Sequence, residues 1–423
     1  MNNPFKISKN FLKVFLFLIA AAGLFCQVSA EEAFTYESLI RTAMENNRDL
    51  KSAKEDVNIA LASRTSAISS ILPKVSLSAG FSRPGDGDES YSYGISASQS
   101  IFSGFENIDR IKIQQENLLS AEASYQLALA SLIYEIKEKY VNLYRAREFI
   151  KLYDEILERR KWQFELVRLK FESGYEHKGS FLNTKASLSQ AGADVESSKR
   201  DEAIAEKELC ISLGYEGWEK LEIKWRATAP DIEKKDPDFR AIASGSPDYR
   251  KLQHAKNSAE LDAAVSRAVF YPDIGASASW GKSGTQFLPE NESWRVGINI
   301  SLPLFQGFSN LSKQSSAWSS YLKAEMNEKQ GYLEKVVELE KKWNSLLDAY
   351  DSRSIKKEYL EAAEARAEIS QSQYSAGLIS FDSWIIIEND LINSKKSYLN
   401  AQLDYETAYA AWEREKGGIS DAE

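Results

Sequence analysis

Histidine is almost missing from this 423-residue chain: only His177 and His254 occur. Two such residues, far apart, leave no histidine cluster for a metal site. Walker-type, GxSxG and HExxH motifs are absent as well, so no nucleotide, serine-hydrolase or zinc-protease chemistry is indicated. No catalytic residue, metal ligand or cofactor is expected. Long apolar runs are also scarce. Mean hydropathy is −0.42 and the one run, Val14 to Phe25, is shorter than the ~20 residues a membrane helix needs. Helical spans are thereby excluded, whereas a β-barrel is not, because alternating strands carry little net hydropathy. The excess of acidic residues, with a formal charge of −9, argues against a nucleic-acid partner.

The apolar run reads as part of a secretory signal peptide over residues 1–30. Lys6, Lys9 and Lys13 precede it, and Val28-Ser29-Ala30 supplies small residues for cleavage before Glu31. Cleavage there removes three lysines and takes the charge from −9 to −12. Cys26 raises lipid modification as an alternative, although Phe25 before it is bulky where that processing wants a small residue. Cleavage at Ala30 leaves Cys210 alone, so no intramolecular disulfide is possible in an oxidising compartment.

Proline is missing where it matters most. None lies between Pro84 and Pro230, and none follows Pro303. Proline costs roughly 3 kcal/mol inside a helix, so such stretches can hold long helices. Phe34 to Leu72 reads as a first helix, with Leu39, Ala43, Leu50, Ala53, Val57, Ala60 and Leu61 near one stripe, stopped by Pro73. The chain then alternates: Val75, Leu77, Ala79 and Phe81, a turn rich in Gly and Asp, then Tyr91, Tyr93, Ile95 and Ala97, with Ser and Gly between them. From Phe105 to Ser173 neither Gly nor Pro occurs, and Leu129, Leu132, Ile136, Tyr140 and Leu143 follow helical spacing. A helix of that length is on the order of 100 Å long.

The same order recurs. A helix from Pro247 to Tyr271 is stopped by Pro272. Ile274, Ala276, Ala278 and Trp280 alternate, then Trp294, Val296, Ile298, Ile300 and Leu302, and another long helix follows. Gly104 and Gly307 are 203 residues apart (307 − 104), as are Gly174 and Gly377, and Gly214 and Gly417. Two internal repeats are therefore expected. The first covers 31–214, with a helix, a hairpin at 74–102, a long helix at 105–173 and a helix at 180–214. An irregular segment at 215–246 follows. The second covers 247–417, with a helix, a hairpin at 273–304, a long helix at 308–376 and a helix at 380–416. A tail, 418–423, ends the chain.

Each strand has about the 9–11 residues that cross a bilayer when tilted. Leu77, Phe81, Tyr93, Ile95, Trp280, Val296, Ile298 and Ile300 are the candidate lipid-facing side chains. Phe81, Tyr91, Tyr93, Trp280 and Trp294 near the loops, with Tyr271, Phe102 and Phe305 at the other end, form two aromatic girdles. The small residues opposite leave room for water inside a barrel. Four strands cannot close a barrel, and an open edge in lipid leaves backbone groups unpaired, so several chains must share one. The strand-to-helix joints contain Phe102, Gly104, Pro303, Phe305 and Gly307.

These stretches resemble the TolC family of outer-membrane efflux proteins over nearly the whole mature length. Leu39 to Leu50 is similar to that family's opening helix, Leu302-Pro-Leu-Phe-Gln-Gly307 to its strand-to-helix passage, and Tyr374-Ser-Ala-Gly-Leu-Ile-Ser-Phe-Asp382 to its helical-hairpin tip. The chain departs from the family pattern at Arg48, where proline is common, and at Phe105 and Phe308, which replace a second glycine. The resemblance implies a mainly α fold with membrane β: a homotrimer whose 12-strand barrel, four strands per chain, continues into a long α-helical barrel across the periplasm. It also implies a periplasmic adaptor and an inner-membrane transporter as partners, met at tips Gly174-Tyr175 and Gly377-Leu378.

For a gate, the candidate acids are Glu176 at the first tip and Asp382, Glu388 and Asp390 past the second. One inward carboxylate per chain makes a ring of like charge in a symmetric trimer. His177 reads as a surface residue. The expected function is a passive export duct of an efflux or type I secretion system. The competing function is a soluble periplasmic coiled-coil spacer or adhesin-like protein.

Overall fold

The computed structural model describes residues 34–417 except Asp86 and Glu219. The expected signal peptide with Cys26, and the tail 418–423, lie outside the described residues. Helices α1 (Tyr36–Asn46) and α2 (Arg48–Ile68) lead into strands β1 (Lys74–Ser82) and β2 (Ser90–Ser103). Helices α3 (Glu106–Glu172), α4 (Lys178–Ser212), α5 (Phe239–Gly245) and α6 (Pro247–Val265) follow. Strands β3 (Asp273–Gly284) and β4 (Asn291–Ser301) precede α7 (Ser309–Ser375) and α8 (Phe381–Lys416). The described residues are mainly helical with one antiparallel sheet in the order β1-β2-β3-β4.

The single helix expected over 34–72 is broken at Asn47. Its side chain accepts from Leu50 N at 2.9 Å and donates to Ser212 O at 2.9 Å, so it caps α2 and ties it to the end of α4. Asparagine favours such caps over a helix interior. Arg48 then occupies the first helical position, where proline is favoured but not required. The expected apolar stripe of this region is also only partly buried. Leu39, Ala43 and Leu50 are covered, but Leu61 is exposed, because α2 packs chiefly against α3 alone.

Sheet register explains the two faces. Leu77 pairs with Ile95, Ile95 with Trp280, and Trp280 with Trp294, which puts the apolar side chains of all four strands on one face. The other face carries small polar groups, such as the Ser76–Ser96 hydroxyl pair at 2.8 Å. An irregularity between Ser100 and Phe102 inserts Ile101 as an extra residue, which returns Phe102 to the apolar face opposite Ile274. Both faces of the sheet are largely open: every residue of β1 is exposed.

The helices continue the order of the strands. α3 is flanked by α2 and α4 on one side and by α6 and α8 on the other, and α7 packs on α6 and α8. Each of the two longest helices has 67 residues and spans about 100 Å. The shorter helices stack in pairs along them. Burial is gathered in belts and not in one thick core. One belt joins Leu39, Ile136, Tyr140, Leu209 and Leu221. A second joins Ala243, Leu339, Trp343, Tyr405 and Trp412. The 215–246 region threads between them: Trp225 stacks on Tyr144 at 4.0 Å, and Ile223 bridges Phe34.

Candidate functional site

The first tip forms where α3 runs out at Glu172 and Gly174 takes φ +77°, a left-handed turn that glycine adopts freely. His177 then caps α4 by accepting from Ser180 N at 3.2 Å, with its side chain mostly exposed. The second tip repeats the turn: Gly377 has φ +75°, and Ser380 caps α8 by accepting from Ser383 N. Tyr175 and Leu378 stand out into solvent at 85% and 75% exposure. Among the described residues, nothing beyond the chain neighbours lies within 4 Å of where a side chain would begin at either tip glycine. Both turns are open surface.

Glu176 is not a free acid at this end. Its carboxylate accepts from His177 N at 3.1 Å, Ser180 Oγ at 3.0 Å and Tyr374 Oη at 2.9 Å, the last of these from the end of α7. Burial pushes its pKa up, but the three hydrogen bonds outweigh burial and hold it below its ordinary value. Tyr374 is pushed the other way by burial and by donating to Glu176. Its ring stacks on Trp384 at 4.3 Å, and Lys170 Nζ lies 4.1 Å from the ring centre while donating to Tyr374 O. Val167, Phe381 and Ile385 complete this apolar knot. Glu176 thus fastens one tip to the other.

Glu388 is placed differently from a pore-lining acid. It is fully buried, held by both forks of Arg159 and by Gln163 Nε2 at 2.7 Å. Helical spacing alone could not reveal this, because Arg159 lies on α3, 229 residues away. Asp382 is exposed in the first turn of α8, where the positive end of the helix dipole favours it. Asp390 is exposed and faces Arg366 at 3.6 Å, across a groove of about 430 Å³ between α7 and α8. Of the four acids, Asp382 and Asp390 stay exposed, Asp390 beside the Arg366 guanidinium.

Two links went unforeseen in the sequence. Lys137 is buried against Glu406 at 2.7 Å, and Thr228 N and Ala229 N donate to the same carboxylate, tying α3, α8 and the 215–246 segment together. Lys335 is buried between Glu415 and Asp248. A lysine among apolar helical neighbours is the only signal the sequence carries for either. Burial alone lowers the pKa of Lys335, but its two carboxylates more than restore it.

At the joints the chain makes a double left-handed turn. Gly104 and Phe105 have φ +62° and +69°, and Gly307 and Phe308 have φ +58° and +65°. Phenylalanine in this region carries strain of roughly 1–2 kcal/mol. The rings pack on their neighbours at each joint: Phe105 meets Phe102 edge-on at 5.3 Å, and Phe308 meets Phe305 at 5.6 Å. Pro303 lies just past β4, where strand pairing has ended. Leu77, Phe81, Ile95, Trp280, Val296, Ile298 and Ile300 are all exposed on the apolar face, while Tyr93 is half-buried under Phe287.

Among the described residues no helix is long and apolar enough to cross a membrane, and no group of His, Cys, Asp and Glu is placed to hold a metal. The sequence model of the family described as outer membrane efflux protein matches residues 39–215 and 240–414. The chain belongs to this family. It is 24% identical over 437 residues to the alkaline protease secretion protein AprF of Pseudomonas aeruginosa, covering 95% of this chain and 88% of that protein. It is 22% identical over 424 residues to the outer membrane protein TolC of Vibrio cholerae, covering 93% of each. The cation efflux system protein CusC of Escherichia coli O157:H7 is 21% identical, over 86% of this chain and 82% of that one.

Solved structures agree on the fold. A CusC crystal structure superposes with a TM-score of 0.81 at 18% identity, covering 91% of this chain and 92% of that one. The outer membrane protein VceC from Vibrio cholerae gives 0.78 at 19% identity, covering 90% and 96%. As an outer membrane efflux protein, the chain is a transport channel component of the outer membrane with a periplasmic part, and not an enzyme. A soluble periplasmic rod is set aside by this placement.

Proposed function

We propose that three copies of this chain form one passive export duct. A 12-strand barrel would cross the outer membrane and a helical tube would cross the periplasm. One observation carries the reading. The sheet order β1-β2-β3-β4 and the helix order α2/α4, α3, α6/α8, α7 both run as an open arc, with β1 and β4 as unpaired edges at its ends. An open edge cannot rest in lipid, and pairing β4 of one copy with β1 of the next removes every edge at once. Two structural repeats fit the same arc, since paired left-handed residues recur 203 apart and the long helices have equal length. The relatives serve different systems, one a protease secretion protein and another a cation efflux protein. A wide tunnel of this kind is weakly selective, so an inner-membrane transporter would choose the cargo and a periplasmic adaptor would meet the exposed Tyr175 and Leu378.

The gate would lie near the tips, with Asp382 supplying a ring of negative charge, Asp390 a second ring whose charge Arg366 offsets, and Glu388 left as an internal anchor. The test is the detergent-purified full chain in a planar bilayer, with its mass measured by light scattering. A trimer with long-lived cation-preferring conductance is expected, and Asp382→Asn should reduce cation preference or divalent-cation block. A monomer that inserts without conductance would overturn the duct. A conducting trimer indifferent to Asp382→Asn and Asp390→Asn would overturn the gate acids alone.

A further inference from the structure

The connection between β3 and β4, residues 285–290, does not stand up from the barrel rim. It folds back along the sheet. Gly284 pairs with Tyr91 and so looks onto the apolar face, and a Cβ there would come within 3.1 Å of Pro289 Cβ. Pro289 is buried at that place, while Phe287 and Leu288 beside it are 68% and 76% exposed. The Phe287 ring sits edge-on against Tyr91 at 5.8 Å and Tyr93 at 6.3 Å, and Tyr93 Oη donates to Phe287 O at 2.9 Å. Tyr91 and Tyr93 share the face of Leu77, Ile95 and Val296. The loop is therefore pinned to the apolar side and away from the serine-rich side.

We propose that this segment is a membrane tab, which inserts Phe287 and Leu288 among acyl chains of the outer leaflet. The proposal rests on the reading that the apolar face meets lipid. Three features select lipid as the occupant. The exposed pair continues the apolar band of Trp294, Val296 and Ile298, all at least 72% exposed. The tab lies over β2 and β3, the inner strands of the sheet, so a second copy paired at the β1 or β4 edge does not reach it. The loops lie at the opposite end of the strands from the helices, so with the helices in the periplasm this end faces the outer leaflet. Aromatic and aliphatic side chains placed there gain from leaving water and hold the barrel at a fixed depth.

The test is photo-crosslinking of the full chain in outer membranes, with p-benzoylphenylalanine introduced singly as Leu288→p-benzoylphenylalanine, Val296→p-benzoylphenylalanine and Ser293→p-benzoylphenylalanine, and adducts read by mass. Lipid adducts are expected at 288 and 296 in comparable yield, and several-fold less at 293 on the polar face. Lipid capture at 296 but not at 288 overturns the tab and leaves the lipid-facing sheet standing. Crosslinks from 288 to the same loop of another copy place the segment across the mouth and likewise overturn it. Absence of lipid at 296 as well overturns both readings.

Discussion

The two strand-to-helix joints share a backbone but not an environment. Gly104 is packed: a Cβ there would lie 2.6 Å from Ala268 O and 2.9 Å from Tyr271 Cβ. Gly307, with nearly the same φ, has nothing among the described residues within 4 Å of that position. The first joint sits in the middle of the arc, between β1/α2 and β3/α6, while the second sits at its β4/α7 end. The turn itself is thus set by local chemistry, and the packing around it by where the joint falls in the arc of this chain.

Substitution of the glycines breaks this comparison most sharply. Gly104→Ala adds backbone strain and a clash with main-chain atoms, so a loss of about 3 kcal/mol or more is expected, read as a lowered Tm in detergent. Gly307→Ala should carry only the strain, roughly 1–2 kcal/mol. Equal losses would mean that the second joint is covered in the assembled protein, by β1 or α2 of another copy. That outcome would sharpen the duct reading and correct the single-chain view of Gly307.

The two buried lysines extend the contrast to the belts. Glu406→Ala removes the carboxylate that Lys137 meets at 2.7 Å in a buried site, and a loss of about 3–5 kcal/mol is expected. Glu415→Ala leaves Lys335 with Asp248, which is 46% exposed and already shares it, so a loss nearer ~1 kcal/mol is expected. Denaturant midpoints of the two variants under one condition check the order. Similar values would show that Asp248 does not compensate.

Much of this was legible in the sequence, and the legible part is the part that local rules govern. Proline-free stretches marked α3 and α7, and alternation marked the strands and their apolar face; the glycines spaced 203 apart fall on left-handed turns, a conformation that Phe105 and Phe308 share with no such signal. Features that depend on distant partners were not legible. Asn47 breaks a helix because Ser212 is there to receive it, and Glu388 looks like a pore acid until Arg159 arrives from another helix. Ile101 shows a subtler limit: Phe102 is on the apolar face, as expected, but only through a bulged residue that alternation does not announce.

The tips offer a comparison by pH. At the first tip Glu176 has a lowered pKa, so its anchoring of Tyr374 is fully present above the unfolded carboxylate value of ~4.3 and is lost as pH falls through the lower folded value. The protection factors of residues 172–180, the exchange rates of the unfolded chain divided by those observed at the same pH, should therefore be constant from about pH 8 to pH 5 and fall only below pH ~4. The 376–383 turn is capped by Ser380 and should change less. Glu176→Gln should bring the acid behaviour of the first tip to neutral pH. A first tip that is as protected in this variant as in the parent would show that the Trp384 stack holds Tyr374 without help.

The smallest expected effect returns to the joints. Phe308→Gly relieves roughly 1–2 kcal/mol of left-handed strain and gives up one edge contact, to Phe305, worth about 0.5–1.5 kcal/mol. The ring is 68% exposed, so little else is lost and the net change should be near zero. Phe105→Gly relieves the same strain but loses contacts to both Phe102 and Tyr271, so it should be the more damaging of the two by about 1 kcal/mol. Paired melting curves decide it. If Phe308→Gly proves as damaging as Phe105→Gly, the exposed ring of Phe308 has a partner in the assembled membrane protein, either lipid or the neighbouring copy, and the open look of the second joint belongs only to the isolated chain.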